Sequence, residues 1–245
     1  MIIRIAGDKQ TITTVDEWFK AAPPKGEKTQ WKEGRSAMEM ARFAVSKEFP
    51  AFILRLTKWA GIDDQYYKCE PEAKTSFEKG MGISGPRNHD LLMVGDNSII
   101  GVEAKVSESF DKTLQEKKVG ASANMLTRLT KCKEYLFGDN IPSDADELYY
   151  QLFSATIGTI IEAKRRHKNT AVALFVTFKG KVSKEPNHSD NVKINNDAFV
   201  KFCAALGLGP EGGKLKYIPG LGEDQIDCFI KKVDVNIGNN FHYEY

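Results

Sequence analysis

The 245-residue sequence lacks any close cysteine pair, any long apolar run and any excess of charge of one sign. Its four cysteines are Cys69, Cys132, Cys203 and Cys228. None form the tight local pairs from which zinc modules are built, so a zinc-finger reader is excluded. Free thiols point to a reducing, cytoplasmic compartment. No apolar stretch approaches the roughly 18 residues of a membrane span, so no membrane partner is expected. Met1–Ala6 is too short for the apolar core of a signal peptide and reads as a strand. Lys+Arg count 35 and Asp+Glu 33, a net charge of +2, so a footprint for a polyanion has to be local. Gly80–Gly85 is glycine-rich, but no helix follows it, and it fits neither the P-loop nor the dinucleotide fingerprint. No Ser/His/Asp or Cys/His set is legible in the spacing.

What remains is an ordinary globular composition, 41% apolar and 28% charged, with no internal repeat. A chain of this length buries a substantial core without disulfides or metal. A short helix is predicted over Thr14–Ala22, carrying Trp18. Another should open at Ser36, where Ser36-Ala37-Met38-Glu39 fits a capping box, and run to about Lys47. A third covers roughly Ala51–Trp59. Gly61–Gly85 shows no clear period. His89–Val94 and Ile99–Val106 are apolar strands around the turn Gly95-Asp96-Asn97-Ser98, a predicted hairpin. One long helix is expected over Lys112–Phe137, closed by Gly138. The next, capped by Ser143 or Asp144, runs from Asp146 to about Arg166. Thr170–Phe178 is apolar on both faces, as in an interior strand. A helix over Asn195–Leu206 and two short strands, Cys228–Val233 and Asp234–Ile237, follow. The reading is one α/β domain, residues 1–245, with a central mixed sheet flanked by helices.

The hairpin carries the chemistry. A turn centred on Asp96-Asn97 sets Val94 opposite Ile99 and, carried along the strands, Asp90 opposite Glu103. Alternation puts Lys105 on the face of Glu103. Cross-strand neighbours have Cβ atoms about 4.5–5.5 Å apart. Two carboxylates that close repel, and a purely structural hairpin has no need of them. A divalent cation such as Mg²⁺ removes the conflict, using one or two carboxylates with water and a substrate phosphate. Without metal, one carboxylate should have a raised pKa. Lys105 is placed to orient or deprotonate a water, or to stabilise charge on a phosphoryl oxygen.

Asp90, twelve intervening residues and Glu103-Ala104-Lys105 resemble the PD-(D/E)XK phosphodiesterase superfamily, here a bacterial-type branch. Its members include restriction endonucleases, junction resolvases and repair nucleases. The resemblance covers about residues 31–180 and implies a restriction-endonuclease-like core: the helix from Ser36, the hairpin, the helix over 146–166 and the strand over 170–178. Glu-x-Lys alone is a weak signal, occurring also at Glu72/Lys74, Glu116/Lys118 and Glu162/Lys164. Only Glu103/Lys105 ends an apolar strand opposite an Asp. His89 stands where many members have Pro, and alternation predicts that it faces away from Asp90, in a buried or supporting role.

The resemblance implies a nuclease using Mg²⁺ or Mn²⁺ bound by Asp90 and Glu103, with Lys105 assisting the attacking water. Glu39 matches an extra metal ligand from the preceding helix, and also fits the capping box. Gln151 matches a catalytic Gln of some branches, although the Tyr expected four residues later is Ala155. Arg87 and Asn88 are candidate phosphate contacts. So are Lys179 and Lys181, within a run of basic residues from Lys164 to Lys184 that holds no acid. The helix dipole accounts for Lys164–Lys168 but not for Lys179–Lys184. Lys112, Lys117 and Lys118 would extend the same rim. The expected partner is nucleic acid, DNA first, and a homodimer would suit a cut in both strands. The competing readings are a catalytically silent module that binds nucleic acid or protein, and a small-molecule hydrolase in which the triplet is accidental.

Overall fold

The computed structural model describes residues 1–6, 11–24, 31–77, 85–106, 108–180, 188–238 and 241–244. Its strands form one mixed sheet: β1 (Ile2–Ile5), β2 (Tyr66–Ser76), β3 (Pro86–Gly95), β4 (Ser98–Lys105), β5 (Thr170–Lys179), β6 (Gly213–Lys214), β7 (Asp227–Asn236) and β8 (His242–Glu244). Their order is β1-β2-β3-β4-β5-β7-β6, with β8 also on β7. β2, β3 and β4 form an antiparallel meander, whereas β4, β5 and β7 run parallel.

Helices cover both faces. α1 (Val15–Ala21), α2 (Ser36–Ala44) and α3 (Phe49–Trp59) pack on one side, where Trp18, Phe43 and Phe52 meet Met93, Val102 and Leu174. On the other lie α4 (Leu114–Lys118), α5 (Ala123–Phe137), α6 (Tyr150–Arg165) and α7 (His188–Ala205). There Phe153, Ile157 and Phe202 meet Ile99, Phe175 and Ile230. β5 lies between two parallel neighbours and is buried along eight consecutive residues, the interior strand that its two-faced apolarity predicts.

Four expectations need correction. The single helix over 112–137 is two, because Val119–Ser122 interrupts it and Gly120 adopts φ +69°. Capping boxes form at Thr14/Glu17 and Thr113/Glu116, not at Ser36. α2 instead has Arg35 at its N-cap without a side-chain bond, and α6 starts after Tyr149, not at Ser143 or Asp144. The two C-terminal strands expected over 228–237 are one, since its residues all pair continuously with β5. β2 occupies the stretch where no element was legible.

Among the described residues no helix is long and apolar enough to cross a membrane.

Candidate active site

The hairpin has the expected register: Leu91 pairs with Val102 and Val94 with Ile99, which carries Asp90 to Glu103. β2 adds a third carboxylate. Pro71 pairs with Leu91 and Ala73 with His89, so Glu72 falls opposite Asp90. Glu72, Asp90 and Glu103 therefore form a row across three neighbouring strands.

Both β2 and β3 turn over at this row. Tyr67 and Cys69 face α1–α3, but Ala73 and Phe77, at the same parity, pack on the α5–α7 side. Leu91 and Met93 face α1–α3. Arg87 and His89 instead face α6, where a Cβ on Gly158 would lie 3.0 Å from Arg87 Cδ and 3.2 Å from His89 Cε1. The reversal is built from Glu72, whose φ of +49° lies in the left-handed region, unusual for a residue other than glycine. Asp90 fills the gap in the ladder, with Oδ2 accepting from the Ala104 N–H at 2.6 Å. The same reversal corrects the expected side for His89. It lies wholly buried on the α6 side, bonded through Nε2 to Thr75 Oγ1 at 2.9 Å, in the supporting position expected.

The row opens into a cleft of about 600 Å³, lined by Arg35, Glu72, Arg87, Asn88, Asp90, Glu103, Lys105, Glu108 and Gln151 among others. Glu103 is the fixed point. Lys105 Nζ donates to Oε1 at 2.6 Å, and the Arg87 guanidinium donates to Oε2. Burial pushes the Glu103 carboxyl up, but the Lys105 and Arg87 cations outweigh it and hold the pKa at about 2. Asp90 goes the other way: burial, with the charge of Glu103 added, raises it to about 7. Burial raises Glu72 to about 8, helped by Asp90 and Glu103. Burial alone would lower the Lys105 ammonium, but Glu103 and Asp90 reverse this and raise it. The carboxylate conflict is thus resolved unevenly, with Glu103 ionised between two cations and the other two driven toward their neutral forms.

The row offers a cation oxygen donors only, the set suited to Mg²⁺ or Mn²⁺. Asp90 Oδ1 and the Glu72 carboxylate receive no hydrogen bond among the described residues. No group of three His, Cys, Asp or Glu side chains among the described residues is gathered to hold a metal. A hard cation here would have to rely on two carboxylates, with water and a substrate phosphate completing its shell. To reach Glu103 it would have to compete with Arg87 and Lys105.

The other sequence candidates divide. Gln151, on the first turn of α6, lines the cleft, and its Oε1 is buried with no partner among the described residues. Asn88 lines the cleft and is exposed. Arg87 lines the cleft at 7% exposure, with one guanidinium nitrogen on Glu103 and its Nε without a partner among the described residues. Glu39 is not among the cleft residues. Its fully buried carboxylate accepts from Gly34 N–H at 2.9 Å and pairs with Arg42 at 3.3 Å, closing the turn ahead of α2. Lys179 pairs with Asp234 at the carboxyl end of β5, and Lys181 lies outside the described residues. Lys164–Lys168 sit at the far end of α6 from Gln151, where Arg165 and Arg166 bind Glu162, Arg166 also binds Glu70, and Lys164 binds Asp224. Lys117 and Lys118 are held by Asp111 and Asp146.

Glu72 and the role of Arg87 were missed. Tyr67 and Cys69 give β2 one apolar alternation, but Pro71-Glu72 ends it, and the Glu72-x-Lys74 pattern reads as polar surface. Across residues 11–235 the chain matches a family model described as a domain of unknown function, DUF6946. The chain belongs to the DUF6946 family. No curated protein and no solved structure matches it. For this DUF6946 chain, function rests on the geometry of the cleft.

Proposed function

We propose that the protein is a metal-dependent phosphodiesterase acting on nucleic acid, DNA first, with Asp90, Glu103 and Lys105 as its centre. One observation carries the reading: Asp90 and Glu103 stand opposite each other on β3 and β4, beside Lys105, at the floor of an open cleft. The order of α2, the meander, α6 and then β5 parallel to β4 supports a restriction-endonuclease-like core.

Asp90 and Glu103 would hold Mg²⁺ or Mn²⁺, with Glu72 beside them. When bound, the ion would polarise a phosphoryl oxygen and lower the pKa of a water. The chain's own groups do the rest. Arg87 fixes one oxygen of Glu103 and stops the carboxylate from turning away. Lys105 keeps its proton and presents a cation where phosphoryl charge develops. Gln151 brings to the wall a carbonyl that has no partner among the described residues, able to accept from a water or a sugar hydroxyl.

A second reading, binding without turnover, has one observation in its favour: Glu103 is already neutralised by two cations. Calorimetry with Mn²⁺ separates the two. The proposed function predicts binding by the wild type that is lost in Asp90→Ala/Glu103→Ala. Folded wild-type protein that takes up no Mn²⁺, with or without an oligonucleotide present, contradicts it.

A further inference from the structure

Behind the floor of the cleft, between the sheet and α6, lies a line of buried polar side chains. Thr75 and His89 are wholly buried, and Glu162 is 1% exposed. Thr75 of β2 stands opposite Arg87 of β3, and Ala73 opposite His89. Residues paired in adjacent strands share a face, so the reversal at Glu72 and Asp90 carries Thr75, Arg87 and His89 to α6 together. There Thr75 Oγ1 reaches diagonally to His89 Nε2 at 2.9 Å.

Two glycines let the sheet and α6 close on the His89 ring. A Cβ on Gly158 would lie 3.2 Å from His89 Nε2 and 3.0 Å from Arg87 Cδ, and one on Gly101 would lie 3.1 Å from His89 Cε1. The ring is therefore held between β4 and α6, and it shares the Gly158 seat with the stem of Arg87. From that seat Arg87 runs on to donate to Glu103. A ring that turned or shifted would move the stem with it, because the space is closed on both sides.

The hydrogen bonds along the line have a direction. Glu162, one turn beyond Gly158 on α6, accepts from Arg165 Nη2 at 2.6 Å and Arg166 Nε at 2.9 Å, and Arg166 also donates to Glu70 of β2 at 2.8 Å. Burial pushes the Glu162 carboxyl up, but Arg165 and Arg166 outweigh it, and the Thr75 hydroxyl adds to them as a donor, so the carboxyl stays below its ordinary value. The one proton of Thr75 is thus turned to Glu162, and its oxygen is left to accept from His89 Nε2–H. Burial, with the Arg87 charge added, keeps the imidazole neutral. His89 Nδ1 has no partner among the described residues, which suits a bare lone pair better than a buried N–H.

We infer that Thr75 and His89 are positioning residues for Glu103, acting through Arg87. Glu162 orients the Thr75 hydroxyl, Thr75 fixes the His89 ring, the ring and Gly158 fix the Arg87 stem, and the guanidinium fixes one oxygen of Glu103. Neither Thr75 nor His89 lines the cleft, so neither touches a substrate. The catalytic consequence rests on the proposed function, in which Glu103 is a metal ligand. The mechanical consequence, that Arg87 is held through His89, does not.

The test compares wild type with Thr75→Val, which keeps the shape and removes the hydroxyl, and Thr75→Ser, which restores it. In EDTA, nitrogen NMR reads the His89 ring and the Arg87 Nε–H directly. Wild type should show the Nε2–H tautomer of His89 and an Arg87 Nε–H that exchanges slowly with water. Thr75→Val should speed that exchange about tenfold, and Thr75→Ser should bring it back. In Mn²⁺, folded Thr75→Val should cut labelled DNA with kcat lowered about tenfold and KM near that of wild type, again recovered in Thr75→Ser. A part that is merely structural would lower the melting temperature and leave both readouts in place. His89 protonated at Nδ1 in wild type, a result that needs no variant to fold, overturns the inference. So does wild-type Arg87 exchange in folded Thr75→Val, or a wild-type kcat where that exchange has changed. Faster Arg87 exchange in Thr75→Val from a protein whose wild type cuts nothing upholds the positioning and counts against the phosphodiesterase reading instead.

Discussion

Glu72 and Asp90 face each other on antiparallel strands at the one row where both strands turn over. The φ of +49° at Glu72 and the side-chain bond from Asp90 to the Ala104 N–H are two halves of one distortion. It brings Arg87 and His89 to the α6 side, where Arg87 reaches Glu103. Strain of this kind persists where surrounding structure enforces it, and it clusters at functional sites.

Relief of that strain is measurable. Glu72→Gly removes both the strained φ and a half-buried acid, and should raise stability in EDTA by about 1 kcal/mol. Glu72→Val puts a β-branched residue in the left-handed region and should lower it by about 1–3 kcal/mol. Urea unfolding of the two variants checks the sign. A Glu72→Gly protein less stable than wild type would show that the conformation is not strained.

The acids of the row give stability a pH dependence of definite sign. Asp90 rises from 3.8 to about 7 and Glu72 from 4.5 to about 8 on folding. Over that window the folded protein binds more protons than the unfolded chain. Their contribution is fullest below the unfolded pKa values and is lost as pH rises through the folded ones. Glu103, held at about 2, behaves oppositely and loses its contribution only in strong acid. In EDTA the melting temperature should therefore fall between about pH 4 and about pH 8, the window set by the unfolded and folded values, and level off above it, on the order of 5 °C in all. A saturating divalent cation should shrink the fall, whereas Glu72→Gln and Asp90→Asn should each remove part of it without metal. A flat profile in EDTA would refute the assigned shifts.

Helix α6 seats against the hairpin through glycine. A Cβ on Gly101 would stand 2.1 Å from Thr159 Oγ1 and 3.0 Å from His89 Nδ1. Gly101→Ala should cost about 1–3 kcal/mol. It should also displace Gln151 and weaken whatever the cleft binds. Unchanged melting would mean that α6 stands further from the sheet.

Sequence made the centre legible and its support obscure. The β3–β4 hairpin announces itself through apolar strands on either side of Gly95-Asp96-Asn97-Ser98, and that turn alone sets Asp90 against Glu103. β5 is legible because both faces are apolar. β2 is not, because its alternation reverses at Pro71-Glu72, and a period of two cannot show a strand that turns over midway. Arg87 reads as surface because nothing in the spacing reveals that Glu103 folds onto it. Glu39 matches two patterns and serves a third, the turn at Gly34. Capping boxes formed where Thr precedes the acid by three residues and not at Ser36, since Arg35 takes the N-cap.

The most direct measurement is cleavage of labelled DNA and RNA in Mn²⁺, with an EDTA control, by wild type, Asp90→Asn, Glu103→Gln and Lys105→Met. The account predicts metal-dependent cutting by wild type. Each variant, folded, should lose about a thousandfold or more, since each removes several kcal/mol of transition-state stabilisation. Wild-type rates in folded Asp90→Asn or Glu103→Gln, or the absence of any Mn²⁺-dependent cutting by wild type, would contradict it.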